Sequence, residues 1–236
     1  MPQYTLDLAI DSVSLNTIKT AQLKITIAKP VGQSSPNVTW LVLDPFEGNK
    51  IEWEEQYGIY ASPNPIIQNG AIISRLSETD IPATDGAYYA FSSSATFTGP
   101  FTDAVAPASG SYKVVNNMPN TQYPALSFGL EQKASINTRG IDPSPLNAAI
   151  VLSQFSATFT PLTTVYVWLQ AEFISGTVIT DINGDAAVVT FGGTVIQKSL
   201  VFDPTRGSFV PSSPNGNLLD YSPESGVKLL KRAGVY

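Results

Sequence analysis

The chain reads as an all-β protein, an antiparallel β-sandwich of roughly 11–13 short strands, on three observations. Apolar and polar residues alternate with period two from the N-terminus onward, turn dipeptides recur between the alternating runs, and no stretch carries a convincing helical stripe. The 236 residues fit one such unit, because all-β domains reach ~200–250 residues without dividing.

In YTLDLAIDSVS, Tyr4, Leu6, Leu8 and Ile10 fall on one face and Thr5, Asp7 and Asp11 on the other, which predicts a half-buried strand. AQLKITIAK repeats the pattern, with Leu23, Ile25 and Ile27 inward and Lys24 and Thr26 outward. VTWLVLDPF is a continuous apolar run suited to a strand covered on both faces. Further strands are expected in NKIEWEEQYGIY, on either side of Asn69-Gly70 (66–68 and 71–73), and in YYAFSSSATF, SYKVV, ALSFGLEQKASI, AIVLSQFSATF and TTVYVWLQAEF. Asn183-Gly184 separates GTVITDI from AAVVTF, and Gly192-Gly193 separates AAVVTF from TVIQKSLVF. Both dipeptides tolerate positive φ, so residues 177–203 are expected to form an antiparallel three-strand meander. The best helical segment is 225–232, about two turns long.

Two proline-rich stretches, 98–124 and 137–145, are expected as long loops, and a domain boundary near 105–120 is the alternative to a single sandwich over 1–203. From 204 to 236 the composition turns to Pro, Ser and Gly with a basic end at Lys228, Lys231 and Arg232, which predicts an extended C-terminal arm able to pack on the body or on a neighbour.

Composition removes whole classes of chemistry. With neither cysteine nor histidine, the chain has no disulfide, no thiolate nucleophile, no Cys/His zinc site and no imidazole base. A formal charge of -6 argues against nucleic acid as a partner. Only 14% of residues are charged, against ~25% in an ordinary domain, so Ser, Thr, Asn and Gln must supply most of the surface. No apolar run reaches the ~18 residues of a spanning helix, and the N-terminus has no basic segment followed by an apolar one. A cytoplasmic chain is therefore expected, with release by another route as the alternative.

Paired carboxylates are the acid–base device that remains, and Asp44, Glu47, Glu52, Glu54 and Glu55 form the densest acidic run. Read as one strand, IEWEEQYGIY puts Glu52, Glu54, Gln56 and Tyr60 on one face, where the two carboxylates stand ~6.5–7 Å apart and can flank a sugar or a cation. Glu55 shares the other face with Ile51, Trp53, Tyr57 and Ile59, so it needs a Lys, Arg or backbone partner. In VYVWLQAEF, alternation leaves Tyr166, Trp168, Gln170 and Glu172 opposite an apolar face of Val165, Val167, Leu169, Ala171 and Phe173. Such a row suits a sugar, with rings against its CH face and amide and carboxylate groups on its hydroxyls. The competing reading buries both faces of a central strand and makes Trp168 ordinary packing. Asp181 to Asp185 has calcium-like oxygens but reads as a hairpin turn, Ser92-Ser93-Ser94 reads as an exposed strand segment, and the sequon Asn37-Val38-Thr39 reads as a strand entry.

The expected function is non-enzymatic, lectin-like binding of a glycan through Trp168, Tyr166, Gln170, Glu172, Glu52, Glu54 and Tyr60, with no cofactor and no metal. Alternatives are a pore-forming cytolysin acting at a membrane surface through Ser/Thr-rich strands between 157 and 182, a self-assembling structural or storage protein forming homo-oligomers through its C-terminal arm, and a carboxylate-based hydrolase.

Overall fold

The computed structural model describes residues 3–32, 35–63, 68–182 and 184–212, with a two-residue strand at 224–225. Among them are eighteen strands and one helix. In chain order the elements begin β1 (Gln3–Ala9), α1 (Ser12–Thr20), β2 (Lys24–Ala28), β3 (Leu41–Leu43), β4 (Gly48–Glu54), β5 (Tyr57–Ser62), β6 (Ser77–Glu78), β7 (Tyr88–Phe91) and β8 (Phe97–Phe101). They continue with β9 (Tyr112–Asn116), β10 (Ala125–Ile136), β11 (Arg139–Pro145), β12 (Ala149–Leu152), β13 (Ser156–Phe159), β14 (Thr164–Gln170), β15 (Asp185–Thr190), β16 (Gln197–Asp203), β17 (Ser208–Pro211) and β18 (Glu224–Ser225).

The fold is all-β, with several packed sheets as in a sandwich. A nine-stranded sheet runs β17-β16-β1-β4-β10-β5-β6, with β11 and β12 also along β10; a five-stranded sheet runs β18-β15-β14-β2-β3; a four-stranded one runs β13-β9-β7-β8. Pairing is antiparallel except for β1 with β16 and β7 with β9, which are parallel. The main core gathers alternate residues from all three sheets, among them Leu6, Leu8, Ile25, Ile27, Trp40, Ile51, Trp53, Phe91, Phe128 and Val167.

The β1 alternation appears as expected, with Tyr4, Leu6, Leu8 and Ile10 buried. The strand count is higher because several predicted runs fold back on themselves. YYAFSSSATF is a hairpin: Ser92 and Thr96 close its turn through backbone and hydroxyl bonds, so the serines lie in the turn between β7 and β8. AIVLSQFSATF breaks at Gln154, whose φ is +68°, into β12 and β13. The predicted loop at 137–145 is mostly β11, and the one at 98–124 contains the end of β8 and all of β9.

NKIEWEEQYGIY is bent rather than continuous. On one edge of β10, Gln132 faces Tyr57 while Ser135 faces Glu52, so three steps of β10 oppose five of its partner. The two additional residues form an irregularity at Glu55 and Gln56, which preserves the phase on either side.

The meander over 177–203 does not form. β15 pairs with β14 in one sheet, whereas β16 pairs with β1 in another. Between them Phe191 is drawn into the core, 5.3 Å from the Tyr4 ring and 5.0 Å from that of Trp53, and Gly192 and Val195 close a tight turn. Burying that ring diverts the chain across the sandwich. GTVITDI is not a strand of the meander; Val178, Ile179 and Ile182 are buried, and Val178 bridges Val38.

α1 was not expected. Asp11 Oδ1 accepts from the Val13 and Ser14 backbone N–H groups at 3.0 Å each, which satisfies the first turn. Its C-terminus closes with Leu23 N–H to Ile18 O at 3.1 Å and Gln22 N–H to Lys19 O at 3.0 Å. Only Ser14 and Ile18 are buried on this helix, too few to make a stripe in the sequence. β17 lies beyond residue 203, in the stretch expected to be an arm, and pairs with β16. Ser225, the first residue of the predicted helix, ends β18; residues 226–232 of that helix, most of the arm, Asn183 and the 66–67 side of the Asn69 turn lie outside the described residues.

Candidate functional site

A cleft of about 590 Å³ opens at the C-terminal end of α1, lined by Lys19, Gln22, Lys24, Asp44 and Glu172 with Ala21, Leu23, Pro45 and Ala171. The closing turn of α1 supplies Gln22, the first residue of β2 supplies Lys24, the segment after β3 supplies Asp44, and the segment after β14 supplies Glu172. Asn49 fixes the neighbouring turn: its amide donates to Phe46 O at 2.8 Å, and its carbonyl accepts from Phe46 N–H at 3.2 Å. That turn leaves the Phe46 ring 52% exposed, with Lys19 Nζ 5.4 Å from its centroid. Lys24 Nζ lies 3.5 Å from Asp44 Oδ1. Gln22 and Glu172 both hold left-handed backbone, at φ +56° and +73°. For residues other than glycine this conformation costs roughly 1–2 kcal/mol, and such positions concentrate where side chains are held for a purpose. The cleft therefore offers two carboxylate acceptors, two ammonium donors and an amide, with an aromatic face beside it.

Of the residues expected in the site, Glu172 lines this cleft and Gln170, two positions before it, ends β14. Trp168 does not face solvent. It is 1% exposed and packs with Tyr166, Phe173, Ile179 and Ile182 in a second hydrophobic cluster, and its indole N–H donates to Gln170 Oε1 at 2.7 Å. The outward face of β14 is covered because residues 173–182 return across it, so burial of both faces is the arrangement found. Tyr60 is likewise 0% exposed: its hydroxyl donates to Asn147 O at 2.6 Å and burial pushes its phenol pKa well up. It packs with Val38 and Ala148, away from the surface it was expected to share with Glu52 and Glu54. Glu52 pairs with Lys50 at 2.7 Å, and Glu54 accepts from the Gln56 amide at 2.8 Å. The structure does not bring these seven residues into one site. No three acidic side chains gather as a metal-binding group among the described residues.

A second polar centre lies inside the core. Of the Lys, Arg or backbone partners expected for it, Glu55 has a lysine: Lys29 Nζ is 3.1 Å from Glu55 Oε1. Glu55 also accepts from the Trp53 indole at 2.9 Å and from the Tyr57 hydroxyl. The Lys29 Nζ donates to Gln132 Oε1 at 2.9 Å and lies 5.3, 5.4 and 5.5 Å from the rings of Trp40, Trp53 and Tyr57. Lys29 is 0% exposed, and burial pushes its pKa down against the opposing pull of Glu55. Neither Lys29 nor Gln132 was singled out from the sequence, although alternation marks both. Lys29 is in phase with Ile25 and Ile27, and Gln132 with Phe128 and Leu130. The helix-end residues Lys19 and Gln22 and the neighbouring Phe46 had no comparable signal, since α1 itself was not expected and Phe46 reaches Lys19 only through tertiary packing.

No protein-family model, curated protein or solved structure matches this chain.

Proposed function

We propose that this is a non-enzymatic, lectin-like binding protein that takes a carbohydrate into the cleft beside Glu172. The observation that carries this reading is the convergence of Lys19, Gln22, Lys24, Asp44 and Glu172 on one cleft with the exposed Phe46 ring beside it. Its volume lies in the ~300–1,000 Å³ range of small-molecule pockets, and its groups match alternating hydroxyls and apolar CH faces. Glycan-array binding followed by titration calorimetry tests it. Wild type is expected to bind, and Asp44→Asn, Glu172→Gln and Phe46→Ala to weaken binding at least tenfold without lowering the melting temperature. Silence of the folded wild type across a broad array sinks the reading.

A second reading, self-assembly, has its own support. Ile150 and Leu152 are 50% and 48% exposed on the same face of β12, and Phe155 in the following turn is 62% exposed. An apolar strip on a sheet with few charges favours contact between copies. Sedimentation tests it: wild type is expected to associate with rising concentration and Ile150→Lys to remain monomeric. A strictly monomeric wild type excludes this route. The pore-forming alternative requires β14 to abandon hydrogen-bonded partners on both edges and burial on both faces.

A further inference from the structure

We propose that Lys29 and Gln132 become joined by an intramolecular amide bond that the folded protein makes by itself, with Glu55 carrying the proton. Three side chains from three parts of the chain meet here: Lys29 directly after β2, Glu55 at the irregularity between β4 and β5, and Gln132 on β10. Lys29 Nζ is 2.9 Å from the carboxamide oxygen of Gln132 and 3.1 Å from Glu55 Oε1. The carboxamide cannot swing away, because its Nε2 donates to Glu54 O at 2.6 Å and the residue is fully buried. Its backbone carbonyl is held in turn by the Trp40 indole at 3.2 Å. Glu55 is fixed by Trp53 and Tyr57. Amine, carbonyl and proton carrier are thus all immobilised before any bond changes.

The chemistry balances without an outside reagent. Glu55 takes a proton from the Lys29 ammonium, and the freed amine attacks Cδ of Gln132. The Nζ–Cδ bond forms, and Glu55 passes the proton to Nε2. The Cδ–Nε2 bond breaks and ammonia leaves; Glu55 takes the second proton from Nζ, and that proton departs with the ammonia as ammonium. One amide replaces another, and nothing is oxidised or reduced. Burial favours the neutral amine that the attack requires. Fixed proximity supplies the rate: effective molarities of oriented intramolecular reactants reach ~10⁵–10⁸ M. An aromatic wall of Trp40, Trp53 and Tyr57 limits competition from water. The product ties the five-stranded sheet to the nine-stranded one across 103 positions of sequence.

Intact mass spectrometry of the denatured wild-type protein, purified folded and incubated, tests this directly. The expected mass is the sequence mass less one ammonia, and protease digestion is expected to give a branched peptide joining the Lys29 and Gln132 segments. Glu55→Gln and Lys29→Arg are expected at full mass with no branched peptide. Wild type at its full sequence mass after incubation overturns the proposal, whatever the variants do. So does an ammonia loss that maps elsewhere, such as to Asn183-Gly184, where succinimide formation would give the same change in mass.

Discussion

Trp40 meets Trp53 edge-on, with ring centroids 5.5 Å apart and planes at 85°, and the Lys29 ammonium sits within 5.4 Å of both rings. Aromatic pairs in this geometry contribute ~0.5–1.5 kcal/mol beyond the area they bury. Here they also wall off the one lysine that the core contains among the described residues. Surface and interior thus divide the polar groups: the cleft at Glu172 is open to solvent, whereas the centre at Glu55 faces inward.

Trp168→Ala is expected to destabilise the protein by ~3–5 kcal/mol, the cost of emptying a filled aromatic site. Urea unfolding measures it. A loss below about 1 kcal/mol would mean that residues 173–182 do not cover the outer face of β14.

Gly129 faces Asn147 and Tyr60 so closely that an added Cβ would stand 2.9 Å from both Asn147 C and Tyr60 Cε1. Gly129→Ala is therefore expected to cost ~1–3 kcal/mol or more, because backbone must shift. The same change at Gly48, where nothing lies within 4 Å, is expected to alter the melting temperature little and serves as the control.

Arg75 Nη1 holds Glu131 Oε2 at 2.7 Å, and Glu131 is almost wholly buried. Burial pushes the Glu131 carboxyl pKa up, with Arg75 pulling against it. Arg75→Ala leaves the carboxylate unpaired and is expected to cost ~3–5 kcal/mol at neutral pH. A folded pKa above the unfolded one means that the folded state keeps the proton longer, so the penalty should shrink as pH falls toward 4.5. Unfolding midpoints of wild type and variant across that range give the result; a gap that widens on acidification contradicts the pairing.

Alkali should act through the tyrosines. Burial, then the charges of Asp85 and Glu55, pushes the Tyr112 phenol up to about 12, and burial raises Tyr57 further still. Above pH 10.0 the unfolded chain sheds phenolic protons that the folded protein retains. Stability is therefore whole below that pH and falls as pH climbs toward 12. Tyr112→Phe is expected to lose less over this window, read from urea midpoints at stepped pH. Equal slopes for the two proteins would refute the assignment.

Glu172 has left-handed backbone that glycine adopts without strain. Glu172→Gly is expected to hold or raise stability, by up to about 1 kcal/mol, while removing a carboxylate from the cleft. Thermal melting alongside glycan titration separates the two effects. Lower stability with unchanged binding would place the role of Glu172 in the scaffold instead.

Alternation along single strands was legible and correct where it concerned one face. It put Tyr4, Leu6 and Leu8 inward and foresaw that Glu55, in phase with Trp53 and Tyr57, would need a Lys, Arg or backbone partner, which is Lys29. What it could not show was whether a second face is also covered. Trp168 is buried with Phe173, Ile179, Ile182 and Ala186 further along the chain and with Ala28 before it, and Tyr60 with Val38 and Ala148. Alternation alone leaves the second face open; only a continuous apolar run, such as residues 165–169, marks its burial. Turn chemistry failed for a related reason: Gly192-Gly193 permits a hairpin, but the pull on Phe191 decided where the chain went. The cap at Asp11 was readable, yet a two-residue buried face gave α1 no periodic signal.

The parallel pairing of Thr5–Ala9 with Gln197–Val201 bears on how the molecule is made. β1 is made long before the β16 strand that becomes its neighbour, so while the intervening chain is synthesised that edge has no mate and the sheet stays open. Until β16 arrives, the growing chain exposes a bare strand edge of the kind that chaperones shield.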